Sequence, residues 1–415
     1  MSRLIRGIRN ASSLAVGNAV SALISVLGFM YIARVLETEK LGIWSTVGAF
    51  VGIFRLMLIS GLRKVVIREG CKDLDMMHRV LERVAGLRIL LIFSAVLICS
   101  GVSLFTPYPA QVKWLIVFYS LSMIPSGLEM FPSAVFEATE KMHFSAFFVV
   151  VERLLFVGVA VTLLFLGFGL KTLFVVSLAS QAVTTALSLL WSRRLIGFKL
   201  FTGVHFEPAL LRPALVFSLL TFLGFLAIKI DLLMISLLGT LEEVGLYSVA
   251  AKVAQQGIML RNVTATAFFP IAVKAFAKRA VGGARLLRYS ALFFAATFAG
   301  SLLISLWSTR LVTFLVGEKY AASGRILAVL IFYIGMSWAQ LPFTTALQAT
   351  HNERYSFWPM LITALLNAPL NFVLYRCFGV IGIAYSTIAV TAVGSLAFCI
   401  IGYNVLTRQG HLRQA

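Results

Sequence analysis

The sequence predicts an all-α integral membrane protein, built as twelve transmembrane helices in two six-helix bundles that repeat each other. Three observations support this prediction: the composition, the length of the apolar segments and an internal repeat. Hydrophobic residues make up 60% of the 415-residue chain, charged residues only 13%, and the mean hydropathy is +0.94. A soluble domain carries about twice that charged fraction, so the composition excludes a water-soluble fold.

The apolar segments have the length that a bilayer requires, about 20 residues for each crossing. Twelve segments qualify, at 12–33, 41–62, 87–106, 112–135, 145–168, 172–191, 213–238, 244–270, 289–308, 325–349, 356–375 and 380–406. The loops between them are too short to form a catalytic or nucleotide-binding domain, and no P-loop pattern is present. We therefore expect no enzyme activity, no cofactor and no metal site.

The net charge of +20 is distributed unequally between the two sides of the membrane. In the predicted topology, 23 of the 36 Lys and Arg residues lie on the side that holds both termini. Because positively charged loops stay in the cytoplasm, this distribution predicts cytoplasmic termini. Basic residues arranged in this way orient the protein and attract anionic lipid, so they do not indicate nucleic acid as a partner.

An internal repeat appears at half the chain length. Three matches stand in the same order in both halves: 39–45 with 242–248 at an offset of 203, 138–139 with 349–350 at 211, and 168–170 with 378–380 at 210. Matches in register indicate duplication, and we place the two bundles at 1–211 and 212–415. Six spans in each half give a parallel repeat, an arrangement in which transporters usually bind their cargo between the halves.

Charged side chains lie inside several predicted spans. A charge in a bilayer is costly unless it is paired or hydrated, so such residues mark a polar interior or a transport pathway. The balance is basic, five Lys and Arg against three Asp and Glu, which favours an anionic cargo. The candidates are Arg55, Glu129, Glu152 and Arg153 in the first half and Lys229, Asp231, Lys252 and Arg261 in the second.

Three of these charges fall at similar depths in the predicted hairpin of helices seven and eight. The turn is centred near Thr240, which puts Lys229 and Lys252 about 15 to 18 Å from it along their helices. A pair between Asp231 and Lys252 is feasible and would leave Lys229 for an anionic group. Two interpretations stay open: a neutralising network that locks the hairpin, or a spare positive charge that holds an anionic group of the cargo.

Arg261 lies nine residues after Lys252, half a turn out of phase, so one straight helix cannot aim both at one point. One interpretation is that Arg261 snorkels to the cytoplasmic interface. The other relates it to Arg55 through the repeat, because Arg55 follows Gly42 by 13 residues. In the second half Arg261 follows Gly245, the counterpart of Gly42, by 16 residues. Two such arginines would flank an inward-facing mouth, where guanidinium forks suit the oxygens of an anionic cargo.

The remaining candidates have a functional and a structural interpretation. Glu129 lies between two prolines in a helix that we expect to bend, and it is either a proton site or has a partner within the bundle. Glu152 and Arg153 point about 100° apart, so each needs its own partner or water. The structural interpretation of the two is an ion network inside the bundle. Arg34, near the outer end of helix one, is most simply an interface anchor.

Several short motifs resemble Wzx-type polysaccharide flippases of the multidrug/oligosaccharidyl-lipid/polysaccharide (MOP) superfamily. They are Ala33-Arg34-Val35-Leu36, Gly42-Ile43-Trp44 and Ile67-Arg68-Glu69 in the first half, then Lys229-Ile230-Asp231, 244–251, Leu347-Gln348-Ala349, Asn367, Asn371, Gly379 and Gly382 in the second. The resemblance covers nearly the whole chain, and the order of the motifs carries it. It implies a V-shaped, MATE-like carrier that works by alternating access.

The function that this resemblance implies is the transfer of polyprenyl-diphosphate-linked oligosaccharide from the cytoplasmic to the outer leaflet of the bacterial inner membrane. Its implied partners are the lipid-linked glycan, membrane lipid, and the polysaccharide polymerase and glycosyltransferases of the same process. The alternative is a cation-coupled multidrug or metabolite antiporter of the same superfamily. Bacterial members of that branch usually carry an acidic residue in the first helix, and 12–33 contains none.

Overall fold

The computed structural model describes residues 2–58, 61–71, 74–196, 230–277 and 283–412, and these residues contain helices and no β-strand. An apolar segment in a bilayer folds as a helix because its backbone groups must bond within the segment. The helices are α1 (Ser2–Val35), α2 (Thr38–Arg55), α3 (Leu62–Gly70), α4 (Leu74–Leu104), α5 (Ala110–Ser120), α6 (Met123–Leu128), α7 (Met130–Ala138), α8 (Met142–Phe165), α9 (Leu170–Ile196), α10 (230–238), α11 (Leu241–Ala277), α12 (Gly283–Val316), α13 (Ala321–Leu330), α14 (Phe332–Ala339), α15 (Leu341–Ala349), α16 (Phe357–Phe378) and α17 (Val380–Leu412).

Ten segments of the described residues are long and apolar enough to cross a membrane. They coincide with the predicted spans one to six and nine to twelve, which confirms the all-α membrane fold. Of the predicted seventh span, 213–229 lies outside the described residues and the rest forms α10. The eighth corresponds to α11, a helix of 37 residues. Polar side chains such as Gln255, Gln256 and Asn262 interrupt the apolar sequence of α11, which is not among the ten segments.

The chain divides into two compact units. The first unit combines Met1–Leu36 with Thr46–Phe225, and the second combines Glu37–Ser45 with Leu226–Ala415. Within the first unit α1 packs along α8, and within the second α16 packs along α17. The boundary expected between 211 and 212 lies outside the described residues.

The fourth and the tenth span are each divided into three short helices. Helices α5, α6 and α7 make up the fourth span, and the last break falls at Glu129. Helices α13, α14 and α15 make up the tenth, and the last break falls at Gln340. Glu129 and Gln340 are 211 residues apart, which is the predicted offset. In the fourth span Pro132 has no N–H to donate to the carbonyl of Leu128, which weakens the helix at this point.

Both divided spans end in the same local structure. Lys141 donates its backbone N–H to the carbonyl of Phe136 at 2.7 Å, and Asn352 donates to Leu347 at 2.8 Å. The residue before each donor is left-handed: φ is 57° at Glu140 and 58° at His351. This is the Schellman ending, which usually needs glycine at that position. Its recurrence at an offset of 211 reproduces the register of the predicted repeat.

The first turns of α2 and α11 contact each other through two glycines inside the second unit. A Cβ atom at Gly42 would overlap the carbonyl oxygen of Leu241, and one at Gly245 would overlap the carbonyl oxygen of Thr38. The Thr38 hydroxyl also donates to the Glu242 carboxylate at 3.3 Å. The repeated segments 39–45 and 242–248 therefore share a reciprocal backbone contact that only glycine allows.

We expect Gly42→Ala to lower the melting temperature of the purified protein, because the new methyl group separates two backbones that are in contact. Overpacking of this kind costs about 1 to 3 kcal/mol. Gly48 in the same helix is the matched control, because nothing lies within 4 Å of a Cβ built there. Gly48→Ala should leave the melting temperature unchanged or raise it. Equal melting temperatures for the two variants would contradict the contact.

Candidate functional site

The first unit contains a polar cavity with a volume of about 140 Å³. Helices α2, α6, α8 and α9 and the break between α6 and α7 contribute its lining. Four charged side chains line it, together with Ser126, Phe148, Val149, Gln181, Thr184, Thr185 and Ser188. The charged residues are Arg55, Glu129, Glu152 and Arg153, the four charges predicted inside the spans of the first half. The fold thus gathers four separately predicted residues at one place.

Glu129 occupies the break between α6 and α7, where a residue can turn towards the cavity. Ser133, one turn further along, donates its hydroxyl to the carboxylate of Glu129. The charges of Arg63, Arg88 and Glu152 also act on this carboxylate. Glu129 therefore has a partner within the bundle, as the structural interpretation expected, and it also faces the cavity.

Arg88 is a buried residue that was not among the candidates predicted from the sequence. It lies inside α4 with 3% of its surface exposed. Its guanidinium donates to the backbone carbonyl of Gly127 at 2.8 Å and to that of Leu58. Gly127 lies in the short helix α6, and Leu58 lies in the 3-10 turn that ends the second span. The apolar residues on either side of Arg88 were the signal for its burial.

Arg55 and Arg261 each contact the divided span of their own unit. In the first unit Arg55 donates from Nη2 to the hydroxyl of Ser122, between α5 and α6, at 2.7 Å. Its buried Nε has no hydrogen-bond partner among the described residues. In the second unit Arg261 donates from Nε to the carbonyl of Ser337 in α14 at 2.7 Å. The two arginines thus have similar surroundings, which supports the relation that the repeat predicts.

Glu152 and Arg153 line the cavity together, although they are neighbours in sequence. Both are partly buried, and within the part of the chain that the structure describes neither makes an ion pair. The two opposite charges therefore share a polar space, in which water or a ligand can satisfy each of them.

Asp231 in α10 is held by a network of neutral side chains in the second unit. It is 8% exposed, and it accepts hydrogen bonds from Tyr247 at 3.0 Å, Asn371 at 2.9 Å and Thr387 at 2.9 Å. Asn371 also donates to Asn367 at 2.7 Å. Among the described residues the hydrogen-bond donors to Asp231 are these three neutral groups, so the suggested Lys252 pair is not the interaction that holds the carboxylate.

Three predicted charges remain. Lys252 lies partly buried in α11, and Arg34 lies exposed in the last turn of α1. Lys229 lies outside the described residues.

No three His, Cys, Asp or Glu side chains among the described residues come together as a metal site. The oxygens of Asp231 and Asn371 are of the kind that bind hard cations, and the side-chain oxygen of Asn371 has no hydrogen-bond partner among the described residues.

Solved structures of transporters share this fold. The lipid II flippase MurJ in an inward closed conformation matches with a TM-score of 0.77 and 14% identity, over 93% of this chain and 86% of that one. A multidrug resistance MATE family transporter in an inward-facing conformation matches with a TM-score of 0.75 and 15% identity, over 94% of this chain and 95% of that one. A MOP superfamily transporter from Pyrococcus furiosus matches with a TM-score of 0.64 and 13% identity, over 97% of this chain and 94% of that one. No curated protein sequence matches this chain.

The fold is therefore that of the membrane transporters of the MOP superfamily. Residues 8–276, more than half of the chain, match the family of polysaccharide biosynthesis proteins. The chain belongs to this family. The match confirms the relationship that the short motifs predicted.

Proposed function

We propose that this protein is a flippase that moves polyprenyl-diphosphate-linked oligosaccharide from the cytoplasmic to the outer leaflet by alternating access. The observation that carries the proposal is the pair Arg55 and Arg261, placed against the divided spans of two duplicated units in a polysaccharide biosynthesis protein. Guanidinium groups suit the oxygens of a diphosphate. Lys252, and Lys229 outside the described residues, would extend the positive path.

The proposal includes a setting in the cell. The protein would lie in the cytoplasmic membrane of a bacterium with both termini in the cytoplasm, following its basic loops. Glycosyltransferases would supply its substrate and a polysaccharide polymerase would consume the product. It would act as a carrier without a cofactor, because lipid-linked glycan enters and leaves chemically unchanged.

Deletion of the gene tests this function in cells. We expect lipid-linked glycan to accumulate in the cytoplasmic leaflet and surface polysaccharide to disappear, while the glycosyltransferases stay active. Expression of the unchanged protein should restore export. Normal surface polysaccharide in the deletion strain, with no accumulated lipid-linked glycan, would contradict the proposal.

A second candidate function is cation-coupled export of small molecules, and Asp231 is the observation that favours it. Its carboxylate is buried among neutral donors, next to the amide oxygen of Asn371, for which the described residues supply no hydrogen-bond donor. Because its surroundings are neutral, a proton or metal cation that binds to the Asp231 carboxylate changes the local charge strongly. The same group would also serve a flippase that uses an ion gradient.

Asp231→Asn tests whether a cation acts at this network. We expect the variant to lose any stimulation of transport by a sodium or proton gradient in proteoliposomes and to keep its rate without a gradient. Thr391→Val is the control, because that hydroxyl donates within α17 to the carbonyl of Thr387. Gradient stimulation that survives in Asp231→Asn would exclude the carboxylate as a cation site.

A further inference from the structure

We propose that the polar cavity of the first unit binds the sugar ring that is attached directly to the diphosphate. The inference rests on the proposed function and assigns a subsite to one part of the substrate. Its residues come from α2, α6, α8 and α9 and from the break before α7. Four observations support it: the donor and acceptor groups, the charge balance, the unpaired charges and the position of Arg55.

The lining offers hydrogen-bond donors and acceptors in similar numbers. Two guanidinium groups donate, two carboxylates accept, and the hydroxyl and amide side chains do either. A sugar ring needs this mixture, because each of its hydroxyls donates one hydrogen bond and accepts others. Phe148 adds an apolar surface, and it is held in place by stacking on Phe136 at a centroid distance of 6.0 Å.

The charge balance of the lining selects against charged ligands. An isolated phosphate in the cavity would meet the carboxylates of Glu129 and Glu152, and a cationic drug would meet the guanidinium groups of Arg55 and Arg153. A neutral ligand with many hydroxyls can satisfy both signs at once. The cavity is therefore suited to the uncharged, hydroxylated part of a glycolipid.

Glu152 and Arg153 make the case for a ligand most directly. The structure pairs neither of them with another of its described residues, and both face the cavity. The buried Nε of Arg55 is likewise without a hydrogen-bond partner in the described part of the chain. Polar groups at membrane depth are costly unless they are satisfied. Sugar hydroxyls, or the water that they displace, would satisfy them.

The position and size of the cavity agree with a ring next to the diphosphate. The first sugar is bonded through its anomeric oxygen to a phosphate, so it lies beside the group that holds that phosphate. Arg55 belongs both to the proposed diphosphate contacts and to the cavity wall. A volume of about 140 Å³ is below the roughly 300 Å³ at which pockets for larger ligands begin. It suits one ring and not an oligosaccharide.

The test compares binding of two kinds of lipid to the full-length protein in nanodiscs. The probes are undecaprenyl diphosphate and the same lipid carrying one hexose or one N-acetylhexosamine. We expect the unchanged protein to bind at least one sugar-bearing lipid about tenfold more tightly than the bare diphosphate. The double variant Glu152→Gln, Arg153→Gln should lose this gain and keep its affinity for undecaprenyl diphosphate within about twofold.

Thr162→Val is the matched control. Thr162 also lies in α8, but its hydroxyl donates to the carbonyl of Gly158 and it does not line the cavity. The Thr162→Val variant should keep the full gain in affinity that the sugar provides. Equal affinity of the unchanged protein for all the lipids, or a gain that survives in the double variant, would overturn the sugar site and leave the flippase proposal standing. Failure to bind any diphosphate lipid would instead refute the proposed function itself.

Discussion

Replacing Arg55 and Arg261 together with glutamine is expected to abolish translocation of the lipid-linked glycan while the protein remains folded in the membrane. Each guanidinium is proposed to bind diphosphate through charged hydrogen bonds. Such bonds are worth about 1.5 to 3 kcal/mol each, so the loss of both arginines removes about 3 to 6 kcal/mol. This corresponds to at least about a 100-fold fall in transport at limiting substrate.

The measurement is the rate of glycan exposure in proteoliposomes, with the melting temperature checked in parallel. The double lysine variant keeps the charge but loses the fork of the guanidinium, so it should retain part of the rate. Arg310→Gln is a suitable control, because Arg310 is exposed and packs over the ring of Trp307 at 4.9 Å. Transport within threefold of normal in the double glutamine variant would remove these arginines from the pathway.

Arg88→Met is expected to unfold the first unit or to prevent its insertion. The guanidinium of Arg88 donates to the carbonyls of Gly127 and Leu58 in the interior of the bundle. Methionine fills much of the same space but cannot donate, so both carbonyls lose a bond where water is scarce. Each buried carbonyl left without its donor costs about 1 to 3 kcal/mol, so the two together cost about 2 to 6 kcal/mol.

Abundance in the membrane and melting temperature in detergent measure this effect. Arg79→Met is the matched control, since Arg79 lies in the same helix and is exposed. We expect the control to accumulate normally and Arg88→Met to be largely degraded. An Arg88→Met protein that melts at the normal temperature would show that the two carbonyls do not depend on this guanidinium.

The sequence was sufficient for the fold class and for much of the architecture. Apolar length alone located ten of the helical segments that the structure describes. One of the short matches that revealed the repeat, 138–139 with 349–350, lies at the Schellman endings of Glu140 and His351, which constrain the residues around them. Prolines on both sides of Glu129 predicted a bend, and the structure has a break at that residue. Each of these features depends on local sequence.

The sites depend on contacts between distant residues, and there the sequence was less informative. Asp231 is bonded by Asn371, 140 residues away, and by Thr387, 156 residues away. Nothing in the sequence near Asp231 identifies these partners. The 100° between Glu152 and Arg153 predicted that each needs its own partner or water. Helix phase alone does not show that one cavity is wide enough for both. Arg88 was missed because it lies at the start of a predicted span, where a basic side chain usually reaches the membrane surface.

Leaflet transfer in reconstituted vesicles tests the proposed function most directly. The purified protein is placed in vesicles with a labelled polyprenyl-diphosphate oligosaccharide, and a reagent that cannot cross the membrane measures how much glycan becomes accessible. A fluorescent cationic drug serves as the comparison substrate. The account predicts protein-dependent exposure of the glycan, lost in the Arg55 and Arg261 double variant, and no transport of the drug. Gradient-driven drug export without glycan transfer would contradict it.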